Sequence, residues 1–159
     1  MAAAAPTFAA SPQPELQRNY LVTRSSCTGG NQLRVTTDNV NTFFRIINVR
    51  PNSTVTGITA SVLVSVNNLT GWTSSNAAWS APTRTGETFS DGTRTYYRYR
   101  SNYVGTVPAP DANGTITLPR IDFSLPCSSA VPSPVWVNGR GEATVNGTTL
   151  SNIGGYRSV

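Results

Sequence analysis

Residues 54–67 place Ile58, Ala60, Val62, Val64 and Val66 on alternate positions, with Thr59, Ser61 and Ser65 between them. Successive side chains of an extended chain point to opposite faces. The pattern therefore predicts a long strand with one face in a core and the other turned outward. An amphipathic helix would need its apolar residues three and four apart. A strand this long commits the chain around it to a sheet, because its backbone donors and acceptors must all find partners.

Composition points the same way. Only 12% of the 159 residues are charged, against roughly 25% in soluble domains. Their place is taken by 22 Thr, 17 Ser and 14 Asn. The branched Cβ of Thr fits a pleated surface, while Asn and Ser favour turns through short side-chain hydrogen bonds. Lys, a good helix former, is absent, and Ala concentrates near the N-terminus.

The remaining chain divides into short strand-like runs separated by turn chemistry, as in sandwiches and barrels. Residues 19–24, 32–37, 41–49, 93–104 and 115–125 read as strands, the last interrupted at Pro119. Turns fall at Cys27-Thr28-Gly29-Gly30, at Ser90-Asp91-Gly92 and over residues 108–114. The C-terminal part reads as a meander: 134–138, a turn through Gly139-Arg140-Gly141, 142–145, a hairpin turn at Asn146-Gly147, then 148–150. Residues 68–87 show no period and hold Trp72, Trp79 and Pro82. They read as a long irregular loop, of a length that is often functional in a compact domain.

The expected architecture is all-β: an antiparallel β-sandwich or jelly roll of roughly eight to ten strands. Residues 17–159 form one domain, preceded by an extended Ala/Pro-rich arm over residues 1–16 that carries Phe8, Pro12 and Pro14. Two prolines two apart discourage both a regular helix and a central strand. The start lacks the basic region and apolar core of an intact signal peptide. No stretch reaches the ~20 apolar residues of a membrane-spanning helix.

Cys27 and Cys127 have no Cys-x-x-Cys and no His beside them, so a zinc site is not expected. They read as a disulfide, with two buried thiols as the alternative. A bridge closing so long a loop contributes about 4–5 kcal/mol in the chain-entropy model. It fits an extracellular, cell-surface or virion setting.

The total absence of His removes Ser-His-Asp and Cys-His pairs and histidine metal ligands. The seven carboxylates stand mostly in turn contexts, with no spacing that proposes a facing pair. No catalytic residue, metal or cofactor is expected, and the chain reads as non-enzymatic. All 12 basic residues are Arg, and the net charge of +5 biases the field toward anionic partners.

Two clusters are candidate binding surfaces. On a strand over residues 93–104, Arg94, Tyr96, Arg98 and Arg100 share one face and Tyr97, Tyr99 and Tyr103 the other. Planar guanidinium forks beside an aromatic suit an acidic glycan or another polyanion. Trp72 and Trp79, close together in the polar loop, could offer rings for sugar faces. Four Asn-x-Ser/Thr sequons, at Asn52, Asn68, Asn113 and Asn146, mark expected surface turns.

The leading functional expectation is a self-assembling structural subunit of an extracellular or virion assembly: a filament, surface layer, capsid or decoration protein. Its arm would contact a neighbouring copy in a homo-oligomer. The alternatives are a carbohydrate- or cell-surface-binding sandwich module, and a coat protein that contacts nucleic acid.

Overall fold

The structure is a computed structural model and describes residues 11–159. Phe8 and the rest of residues 1–10 lie outside the described part. In chain order the strands are β1 (Glu15–Asn19), β2 (Leu21–Cys27), β3 (Gly30–Thr36), β4 (Phe43–Ile47) and β5 (Val55–Val64). Next come β6 (Thr73–Ser74), β7 (Thr83–Ser90), β8 (Thr95–Asn102), β9 (Ile116–Thr117) and β10 (Asp122–Ser128). The last are β11 (Trp136–Val145), β12 (Thr148–Ile153) and β13 (Arg157–Ser158). No helix occurs among the described residues.

These strands make an antiparallel β-sandwich of two layers. The first layer holds a three-stranded sheet, β1-β4-β9, and a four-stranded sheet, β2-β3-β10-β6, which follow one another along the same three chain segments. Only Tyr20 separates β1 from β2; a bond from the Leu118 amide to the Phe44 carbonyl (2.9 Å) prolongs the β4–β9 pair, and one from the Thr37 amide to the Ile121 carbonyl (3.0 Å) prolongs the β3–β10 pair, toward the join. Thus β1–β2, β3–β4 and β9–β10 are three long strands, each interrupted near its middle. The second layer runs β12-β11-β5-β8-β7, with β13 beside the start of β11.

The period-two run becomes β5, the middle strand of the second layer. Ile58, Ala60, Val62 and Val64 enter the core and meet Leu16, Leu33, Val35, Phe44, Ile46, Phe123 and Leu125 from the first layer. At about 25 cal/mol per Å² of apolar area removed from water, this shared interior is the main source of stability. The Cys27–Cys127 disulfide is formed, with Cα atoms 6.0 Å apart, and ties the β2–β3 hairpin to β10. It fits an oxidising compartment.

Two sequence readings change. Residues 68–87 are not wholly loop, because β7 begins at Thr83. It is an edge strand with a bulge between Arg84 and Thr88 at which Gly86 has φ 88°, so it needs no apolar alternation. Gly139-Arg140-Gly141 is not a turn but the middle of the continuous strand β11. Its two glycines are buried and face side chains of the first layer. A Cβ on Gly139 would stand 2.7 Å from the Tyr20 ring, and one on Gly141 2.9 Å from the Phe44 ring. The Asn146-Gly147 turn is as expected, with φ of 48° and 82° at its two residues.

Replacing glycine by alanine inside a strand would ordinarily stabilise by a fraction of a kcal/mol through the unfolded chain. Overpacking against anchored rings outweighs that gain. Gly139→Ala and Gly141→Ala are each expected to destabilise by about 1–3 kcal/mol in urea unfolding.

Candidate functional site

The Tyr/Arg strand is β8, between β5 and β7. The predicted faces are correct: Arg94, Tyr96, Arg98 and Arg100 lie on the outer side, while Tyr99 enters the core. Their exposure is not what a binding strip requires. Tyr96 is 0% and Arg98 3% exposed. The Arg98 guanidinium donates to the Ser61 hydroxyl at 2.8 Å and to both Glu87 oxygens at 3.0 and 3.1 Å. It also pairs with Glu142 at 3.2 Å, and Glu142 in turn accepts from Arg140 at 2.8 Å. The Tyr96 hydroxyl donates to Asp91 at 2.7 Å, and its ring packs on Tyr156 at 4.3 Å. Arg94 sits over the Trp136 ring at 3.8 Å. Arg94 and Arg100 are half-exposed with no ion pair among the described residues, and of the two only Arg100 also lacks an aromatic ring beneath its guanidinium. Neighbouring strands bring carboxylates, and the C-terminal segment a covering ring, over what the sequence alone shows as a bare basic face.

Trp72 and Trp79 are core residues, 5% and 2% exposed. Trp79 packs against Tyr103, Phe44 and Phe123 at centroid distances of 5.1, 5.5 and 6.4 Å, and its indole N–H donates to the Pro119 carbonyl at 2.9 Å. Trp72 lies 5.7 Å from Tyr99, itself bonded to the Val66 carbonyl at 2.6 Å. Neither ring is available to stack on a sugar. The apolar area of an indole buried in a core outweighs its use on the surface.

The base of the arm is described from Ser11. Ser11, Pro12 and Gln13 are exposed and belong to no strand, and Pro14 is half-buried just before edge strand β1. Gln13 accepts a hydrogen bond from the Asn48 side chain at 3.2 Å. Gln13 and Pro14 line a notch with Asn48, Arg50, Ser53 and Asn146 at one end of the sandwich. The sequons Asn52, Asn68, Asn113 and Asn146 are all exposed.

One surface feature was not singled out in the sequence. A groove of about 660 Å³ crosses the outer side of the first layer where its strands are interrupted. Residues Thr36, Thr37, Ile121 and Asp122 line it together with Leu21, Asn41, Thr42, Ser75, Asn76, Arg34 and Arg120. One wall is the loop over residues 37–42, folded around Asp38, whose Oδ1 accepts from the amides of Val40, Asn41 and Thr42 at 2.8–2.9 Å. The Thr42 and Val40 amides hold its carboxyl down at about 2, well below the ordinary 3.8. Across the groove Arg34 donates to both oxygens of Asp122 at 3.0 and 2.9 Å. That pairing lowers the Asp122 carboxyl below the ordinary range. The sequence signals were the break at Pro119 and the cluster Thr36-Thr37-Asp38, but neither locates the partner strand.

Among the described residues no group of three or more His, Cys, Asp or Glu could hold a metal ion, and no helix is long and apolar enough to cross a membrane. No protein-family model, curated protein or solved structure matches the chain.

Removing Arg98 leaves the buried Ser61 hydroxyl and Glu142 short of a donor. Arg98→Met is expected to destabilise by about 1–3 kcal/mol. Glu87→Gln, at a residue whose side chain is 51% exposed, is expected to stay under about 1 kcal/mol; paired urea titrations check the order. Asp38 and Asp91 are both held at about 2, so the folded state favours their charged forms. Their contribution is complete above the ordinary carboxylate value and is lost as pH falls toward 2. Melting temperature is therefore expected to drop between about pH 4 and pH 2, and Asp38→Asn to flatten that slope.

Proposed function

We propose that the protein is a non-enzymatic structural subunit of an extracellular or virion assembly, such as a filament, surface layer, capsid or decoration protein. In this reading its N-terminal arm reaches a neighbouring copy. The observation that carries it is the base of the arm. Ser11–Gln13 are exposed and belong to no strand, held only by the Asn48 bond to the Gln13 carbonyl, and they lead through Pro14 into edge strand β1. A segment that leaves from a sheet edge is well placed to lie against, or add a strand to, a second copy. The disulfide-stapled sandwich and its lightly charged, hydroxyl-rich exterior suit a durable subunit. Nucleic-acid contact draws less support, because Tyr96 is buried and Arg98 is neutralised by two carboxylates.

The test is deletion of residues 1–13. The cut stops there because Leu16, in β1, is a core residue. The full chain is expected to form particles many times the mass of one chain by light scattering. The deletion is expected to remain monomeric with an unchanged melting temperature. A monomeric full chain, or a deletion that assembles as well as the parent, would overturn the reading.

A further inference from the structure

A second groove opens at the end of the sandwich from which the arm departs. Val55, Val107, Pro108, Ala109 and Pro110 line it with the buried Ile116, and no charged side chain contributes. Its space is about 360 Å³, near the lower end of the ~300–1,000 Å³ usual for small-ligand pockets. It therefore suits one large side chain with its immediate neighbours.

One wall is the connection between β8 and β9, which reads Val104-Gly105-Thr106-Val107-Pro108-Ala109-Pro110 and is uncharged throughout. Its alternate prolines fix φ and keep it out of any strand. The amides of Val107 and Ala109 have no acceptor among the described residues. Apolar side chains beside free backbone donors suit a peptide, whose own carbonyls can accept from them. An ionic ligand finds no charge in this groove and a nucleobase finds no aromatic ring.

Residues 1–10 read Met-Ala-Ala-Ala-Ala-Pro-Thr-Phe-Ala-Ala, with no charged side chain and one aromatic, Phe8. Fully extended, a segment of that length spans about 33 Å. Ser53 lines both this groove and the notch at the base of the arm, so the β4–β5 connection stands between the two. Ser11 and Gln13 each precede a proline, which biases the base toward extended backbone. Ala9-Ala10 lacks the Gly, Asn or Asp of a tight turn. The chain's own Phe8 would have to cross the β4–β5 connection within Ala9, Ala10 and Ser11, whereas the arm of another copy meets no such demand.

We infer that this groove receives the N-terminal arm of a neighbouring copy, with the Phe8 ring against Val107, Pro108 and Pro110. Carbonyls of that arm accept from the Val107 and Ala109 amides. This docking presupposes the assembly proposed above and gives its arm a seat.

The experiment is photo-cross-linking of the full chain carrying p-benzoylphenylalanine in place of Phe8, with the adducts mapped by mass spectrometry. An adduct of two chains is expected, joining position 8 of one to residues 52–55 or 107–116 of the other. Ala109→Glu puts a charge on the groove wall at an exposed position, and is expected to lower the yield of that adduct at least about fivefold. Ala112→Glu adds the same charge at an exposed position outside the groove, and is expected to change the yield less than about twofold. Circular dichroism and melting curves confirm that each variant is folded. Light scattering of the full chain separates this seat from the assembly itself. A monomeric full chain overturns both. A full chain that assembles through residues 1–13, while Ala109→Glu assembles as well as the parent, overturns the groove alone. So does an adduct that maps elsewhere or stays within one chain, or an equal loss from Ala109→Glu and Ala112→Glu.

Discussion

Trp79 is where the two layers and the long connection between β5 and β7 are fixed to one another. Its ring meets Phe44 and Phe123 from the first layer and Tyr103 from the segment after β8. Its N–H reaches the Pro119 carbonyl, in the stretch where proline removes a donor from the ladder. An indole can supply both a large apolar body and one well-directed donor. The connection over residues 65–82 thus needs little sheet of its own, and the break in β9–β10 is left with a satisfied carbonyl. The groove exists because that break is tolerated.

The fold class was legible in the sequence, and the reason is the period of two in β5 and β8 together with the Asn146-Gly147 hairpin signal between β11 and β12. What could not be read was how the second layer uses its outer side. Alternation assigns Arg98 to the outer face, but only the register with β5 and the bulge in β7 bring Ser61, Glu87 and Glu142 around it. Those partners lie 37, 11 and 44 positions away, with no local mark of their pairing. The glycines of β11 misled for a related reason. Gly-Arg-Gly has the chemistry of a turn, yet here it answers a need for interlayer space set by Tyr20 and Phe44, over a hundred and nearly a hundred residues earlier. The disulfide, by contrast, needed no register to be anticipated, since two cysteines permit only one pairing.

Arginine does several different jobs in this chain. One is buried and shared between carboxylates, Arg34 is locked on Asp122, and Arg45, Arg84 and Arg94 lie over aromatic rings. Arg18 donates to the Asn152 carbonyl and Arg157 to the Tyr20 carbonyl. A flat, always charged group that can stack and fork at once suits these places, and an ammonium would not. The charge the molecule can offer a partner is therefore smaller, and more localised, than the formal +5 implies.

The disulfide lies at the far end of the strand that the arm enters. From Glu15 the chain runs through β1 and β2 to Cys27, and there the covalent link passes to Cys127 on β10. Tension applied at the N-terminus would travel along the length of the first layer and reach a bond that does not slide. Between those two points the antiparallel partners β3 and β4 carry the load in shear, with many hydrogen bonds acting together instead of parting one by one. The distal bridge and these paired strands together oppose sliding of the first strand along its own length.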